Sequence, residues 1–156
     1  LFPYTTLFRS HALDTMGSKY DENGNYINWW SDEDAFNFNT RTSKVVRYYD
    51  KYEQYGSTTI GENIADIGGM TVVLEVAKNN NATTNDYKTL FETYAKAWAS
   101  QQTSIYREFL LKNDEHSPDK NRVNAVLSSM DKFYEVYNIK ETDKMYVPKE
   151  NRVSVW

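Results

Sequence analysis

Apolar residues recur at spacings of three and four along most of this chain, the pattern of helices that bury one face. Ala35, Phe38, Thr42, Val45, Tyr49 and Tyr52 form one such stripe. Ser31, with Asp34 three residues on, opens it as a capping pair, and Gly56 closes it. Ile60, Ile64, Ile67, Thr71 and Leu74 form a second stripe, ended by Asn79, Asn80 and Asn81. Tyr87, Leu90, Phe91, Tyr94 and Trp98 mark a third helix, and residues 105–111 a shorter one. Residues 129–137 read as a helix packed by Met130, Phe133, Tyr134 and Tyr137. His11 to Met16 reads as the end of a helix stopped by Gly17. Residues 21–25 are a turn cluster around Gly24, residues 113–121 an irregular polar loop, and residues 147–156 an extended segment. The expected fold is mainly α, and no internal repeat appears.

Composition narrows the function classes. A chain of 156 residues is enough for one core. The net charge is −4 and no basic stripe is present, so nucleic acid is not an expected partner. No run approaches the 18 or so apolar residues of a transmembrane helix. There are no cysteines, so neither a disulfide nor a thiolate site can form. The chain carries 13 Tyr, 7 Phe and 4 Trp, and some of these are expected to lie on a surface meant for another part of a longer protein. Trp29 and Trp30 are assigned to packing. A calcium loop centred on Gly24 fails, because its first and twelfth positions would be Lys19 and Trp30.

The candidate chemistry begins at residues 60–69, IGENIADIGG. Glu62 and Asp66 stand four apart, so they share one helix face, close to the apolar stripe. Carboxylates that point inward need a metal or hydrogen-bond partners. His11, followed by Asp14, precedes them. A ligand His, a ligand Glu on a later helix and a supporting Asp look like most of a His-His-Glu zinc site. Its other His should stand four residues before His11, with a catalytic Glu beside it. Leu7 and Phe8 occupy those places.

From His11 to Trp156 the chain resembles the C-terminal part of a neprilysin-type zinc metalloendopeptidase of the bacterial oligopeptidase O branch. The resemblance rests on HALDTMGSKYDENGNYINWW (residues 11–30), IGENIADIGG, and the segment from HSPDKNR (residues 116–122) to the terminal aromatic. It implies a truncated thermolysin-like (gluzincin) catalytic domain with Zn2+ as cofactor. His11 would be the second zinc ligand and Glu62 the third. Asp66 would accept a hydrogen bond from the first zinc His, and Asp14 one from His11. In the family a Glu beside the first His activates the water that attacks the peptide bond. His116 would donate to the oxyanion, and Arg122 would bind a substrate backbone carbonyl. Ala97 and Trp98 would line the pocket for the residue after the scissile bond. The implied substrates are short peptides cut on the amino side of hydrophobic residues. The implied partner is an N-terminal helical region that covers the active site. Asn63 would stabilise the local backbone, and Gly68 and Gly69 would allow close helix approach.

Leu1 to Ser10 lacks that resemblance. LFPYTTLFRS is similar to one reading frame of a sequencing-library adapter, so residues 1–10 are expected to be non-native and residues 11–156 the peptidase part. The chain as written is then expected to be inactive. Secreted animal members of the family carry a Cys near the C-terminus. Asn151-Arg152-Val153 offers none, which points to a bacterial origin. The expected compartment is cytoplasmic, with an extracellular or cell-surface location as the alternative. The competing functional reading is a complete, non-catalytic helical interaction domain on a degenerate peptidase scaffold.

Overall fold

The computed structural model describes residues 18–21, 23–52 and 56–155. The helix end at His11–Met16, and with it His11 and Asp14, lies outside the described residues, as do Leu1 to Ser10 and Trp156. The described residues form α1 (Asp32–Asp50), α2 (Ile60–Asn79), α3 (Thr84–Ala97), α4 (Ser104–Asn113), α5 (Asp119–Leu127) and α6 (Asp131–Tyr137). A single 3-10 turn at Lys149–Asn151 follows. Tyr20 and Tyr26 make one isolated antiparallel bridge around the turn at 21–25, where Gly24 takes φ 79°. The Asp21 carboxylate accepts the Asn23 and Asn25 backbone N–H groups there.

The caps explain where the helices start and stop. Ser31 accepts the Asp34 N–H, and Asp32, Glu33 and Asp34 place negative charge on the first turn of α1. The α1 helix ends at Asp50, before Gly56. The Gly56 N–H instead returns to Asp50 Oδ1 at 2.9 Å, and a Cβ on Gly56 would run into the Val46 carbonyl. Asn81 ends α2 in the left-handed region, φ 56°, with Ala82 N–H bonded to Ala77 O and Asn81 N–H to Lys78 O. That pair of bonds is a Schellman motif with Asn in the place usually held by Gly. Thr83 and Asp86 form a reciprocal capping box on α3.

The core forms where α2 is covered on all sides. Every residue from Asn63 to Met70 is buried. Val45, Tyr48 and Tyr49 reach it from α1, Tyr87, Phe91 and Tyr94 from α3, and Ala125, Val126 and Leu127 from α5. Tyr48 Oη donates to the Ala125 carbonyl at 2.9 Å, which ties α1 to α5. Phe133 of α6 meets Phe91 edge-on at 5.6 Å. Beyond the 3-10 turn the chain is extended, with Val153 and Val155 buried and Ser154 exposed between them. Arg41 holds that end by donating to Val155 O at 3.1 Å. Trp30 stacks on Phe38 at 4.8 Å and donates to Ser18 O.

Three sequence expectations need correction. The loop expected at 113–121 ends at Pro118, and α5 begins at Asp119, so Arg122 sits on a helix. The helix expected over 129–137 begins at Asp131, because Met130 is extended, ψ 112°, at its N-cap. The expected extended segment 147–156 is interrupted by the turn at Lys149–Asn151.

Candidate functional site

The first turns of α2 carry Glu62 and, one turn later, Asp66, while α5 approaches from the far side of the sequence with Arg122. The Arg122 fork is bidentate: Nε donates to Asp66 Oδ2 and Nη2 to Asp66 Oδ1, both at 2.7 Å. The pair is buried, so each charge depends on the other. Burial works against the guanidinium charge, but the Asp66 hydrogen bonds and charge, helped by Glu62, raise the Arg122 pKa above its ordinary value. The Arg122 guanidinium also lies 3.9 Å from the Trp98 ring centroid, and Tyr94 Oη donates to the Arg122 carbonyl at 2.9 Å. The Arg122 side chain is therefore fixed by Asp66 and Trp98, and its backbone by Tyr94. Its Nη1 makes no hydrogen bond among the described residues.

His116 reaches the same place from the loop between α4 and α5. Its Nε2 lies 3.4 Å from Glu62 Oε2, and the Arg122 Nη2 lies 3.6 Å from that same oxygen. The other ring nitrogen, Nδ1, is 2.7 Å from Asp114 Oδ1, and the His116 backbone N–H bonds that oxygen at 3.0 Å. Burial opposes the Asp114 charge, but those two bonds to His116 outweigh it and hold the Asp114 carboxyl below its ordinary pKa. A carboxylate on Nδ1 fixes the ring orientation, so Asp114 orients His116. Below the ring, Ser117 Oγ donates to Asn63 Oδ1, and Asn63 Nδ2 donates to Thr59 Oγ1 at 2.8 Å. Asn63, Thr59 and Ser117 are all buried.

The structure thus brings together Glu62, Asp66, His116 and Arg122 from segments more than 50 residues apart. Trp98 joins them through Arg122. It also lines a cleft of about 390 Å³ with Ala95, Pro118, Lys120 and Arg107, and Ala97 is not among the lining residues. Ala97 ends α3 exposed. Sequence reasoning missed Asp114 and Ser117. An Asp two residues before a His was the available signal for the first, since Asx side chains bond backbone N–H groups two residues on.

A zinc ion requires more than these residues supply. Glu62 fits as one donor: a hard oxygen, only 14% exposed, pointing into the cluster. Among the described residues no three His, Cys, Asp or Glu side chains are grouped to hold a metal. His11 lies outside them, and the hydrocarbon side chains of Leu7 and Phe8 cannot ligate. The described donors therefore fit one corner of a zinc site.

The model of peptidase family M13 matches residues 9–153. The neutral endopeptidase of Lactobacillus helveticus is 39% identical over 153 residues, covering 94% of this chain and 23% of that protein. The neutral endopeptidase of Lactococcus lactis subsp. lactis is 37% identical over 152 residues, covering 94% and 24%. Among solved structures, PEPO from Lactobacillus rhamnosis superposes with a TM-score of 0.90 at 30% identity, covering 97% of this chain and 25% of that one. The Mycobacterium tuberculosis zinc metalloprotease ZMP1, in complex with an inhibitor, gives a TM-score of 0.85 at 28% identity, covering 97% and 26%. The chain spans about a quarter of the length of the relatives it matches.

Proposed function

This chain belongs to peptidase family M13, the neprilysin family, and from that premise we propose that it is the C-terminal part of a zinc-dependent endopeptidase that cuts short peptides on the amino side of hydrophobic residues. The observation that carries the reading is the meeting of Glu62, Asp66, His116 and Arg122 in one cluster, built on the buried Asp66–Arg122 pair and open at His116. Glu62 and His11 are the ligands this chain supplies. Zinc, when bound, polarises the peptide carbonyl.

The chain's own residues do the rest. His116, with Nδ1 held by Asp114, presents Nε2 beside Glu62 and stabilises the negative charge that develops on the carbonyl oxygen. Arg122 is clamped by Asp66 and offers Nη1 to a backbone carbonyl of the peptide. Trp98 packs against that guanidinium and gives the substrate's hydrophobic residue an apolar wall. Ile105, Tyr106 and Phe109 leave α4 with an exposed apolar face, which the remainder of the longer protein covers.

The test is cleavage of a peptide with one large hydrophobic residue by the whole protein. Mass spectrometry should place the cut on that residue's amino side, a chelator should stop the reaction, and Glu62→Gln should abolish it. Turnover that survives Glu62→Gln would remove the reading. Leu7 and Phe8 favour a second one, a non-catalytic helical interaction domain, and in that case a whole protein that retains this sequence shows no chelator-sensitive turnover.

A further inference from the structure

The side chain next to Glu62 grips the side chain next to His116, and that contact is not explained by helix stability. Asn63 is fully buried on the first turn of α2, and its neighbour Glu62 faces the cluster. Ser117 is 3% exposed, although its neighbour His116 has a side chain that is 42% exposed. Ser117 Oγ donates to Asn63 Oδ1 across 54 residues of sequence. The Asn63 amide is held on both sides, since its Nδ2 donates to Thr59 Oγ1 at 2.8 Å. Thr59 occupies the N-cap position of α2 and its carbonyl accepts the Asn63 N–H at 3.0 Å, so both partners stand at the helix start.

Asp114 and Asn63 have separate tasks. Asp114 lies on the same loop as His116 and bonds both its ring and its backbone N–H, so it fixes the ring relative to the loop. It does not fix the loop relative to α2. Among the described residues, Ser117 makes the side-chain hydrogen bond from 114–117 that reaches α2. Leaving a buried Asn acceptor without its donor is unfavourable, so the loop has one preferred seat. We propose that Thr59, Asn63 and Ser117 form a latch that sets the distance between His116 and Glu62, making Asn63 and Ser117 positioning residues for the oxyanion donor.

This inference rests on the reaction proposed above, since the latch works through His116. A misplacement of about 1 Å at such a donor can lower turnover by as much as about 100-fold. The experiment uses the whole, zinc-loaded protein carrying Leu7→His and Phe8→Glu, and compares Ser117→Ala, His116→Ala and the double variant on that background in steady-state kinetics. The expected result for Ser117→Ala is a fall in kcat of about 10- to 100-fold with KM changed by less than about twofold. The double variant should be no slower than His116→Ala alone, because a displaced donor and an absent one are then the same defect. Ser117→Thr, which keeps the hydroxyl, should recover most of the loss. An unchanged kcat in Ser117→Ala, or a double variant whose losses multiply, would overturn the latch. If Ser117→Ala does not fold, Ser117→Cys, close in size but a weak donor, is read in the same way. Crystal structures of the wild type and the Ser variant supply a readout independent of activity. The His116 to Glu62 separation should lengthen in the variant, and an unchanged separation would overturn the proposal. A His116→Ala variant of full activity would instead remove the oxyanion reading, leaving the latch to be judged by that separation.

Discussion

Asp66 and Arg122 form a buried, bidentate ion pair. Each was legible as a polar residue of interest, but their mutual bond was not, because 56 residues separate them. Asp66→Ala leaves a buried guanidinium with Glu62, at 3.6 Å, as its charge partner among the described residues, and should destabilise the chain by about 3–5 kcal/mol in urea unfolding. A loss below about 1 kcal/mol would mean that water or another group compensates readily. Tyr49 marks a second stress at this scale. Its hydroxyl is fully buried without a hydrogen-bond partner among the described residues, and burial, then the Asp66 charge, drives its pKa well above the ordinary value. Tyr49→Phe should therefore be neutral or slightly stabilising, since it removes a polar atom that makes no bond. For the proposed reaction, His116→Ala in the whole protein carrying Leu7→His and Phe8→Glu should lower kcat by about 10²–10³-fold with a smaller change in KM.

Helices with a plain apolar stripe and a capping residue were read correctly from sequence. The α1 stripe from Phe38 to Tyr49, the α2 stripe from Ile60 to Leu74 and the α3 stripe through Tyr87, Phe91 and Tyr94 all lie on buried or half-buried faces. The α5 helix was not read, and the reason is physical. Its inward face includes Asn121, which donates to Tyr52 O, and Arg122, which donates to Asp66, polar residues that break the apolar period. The sequence Ser117-Pro118-Asp119 was the usable signal, since Pro and an acidic residue favour a helix start. At the junctions, backbone shape decides. Asn81 is left-handed at φ 56°, so Asn81→Ala should cost about 1–2 kcal/mol and Asn81→Gly little or nothing, as thermal unfolding would show. Gly56→Ala should cost about 1–3 kcal/mol through its clash with the Val46 carbonyl.

At the scale of the whole molecule, acid stability should follow the carboxylates held below their ordinary pKa, Asp131 and Asp114 among them. Burial opposes the charge of Asp131, but the Arg152 hydrogen bond and the Lys149 charge outweigh it and lower its pKa below 3.8, as the His116 bonds do for Asp114. A lowered folded pKa contributes stability above the unfolded value, and that contribution is lost as pH falls through the folded value. Stability should therefore be level above about pH 4 on this account and decline below it. In Asp131→Asn that decline should be shallower, by no more than about 1 kcal/mol, because the pair is partly exposed.

The central claim is that this chain holds part of a zinc site whose register runs through Leu7, Phe8, His11 and Glu62. Isothermal titration of zinc into three forms of the chain tests it most directly. The chain as it stands should bind weakly, because two protein ligands do not make the three-ligand site that zinc enzymes use. Leu7→His with Phe8→Glu should bind markedly tighter, and adding Glu62→Gln to that pair should remove the gain. Equal affinities in all three forms would contradict the claim.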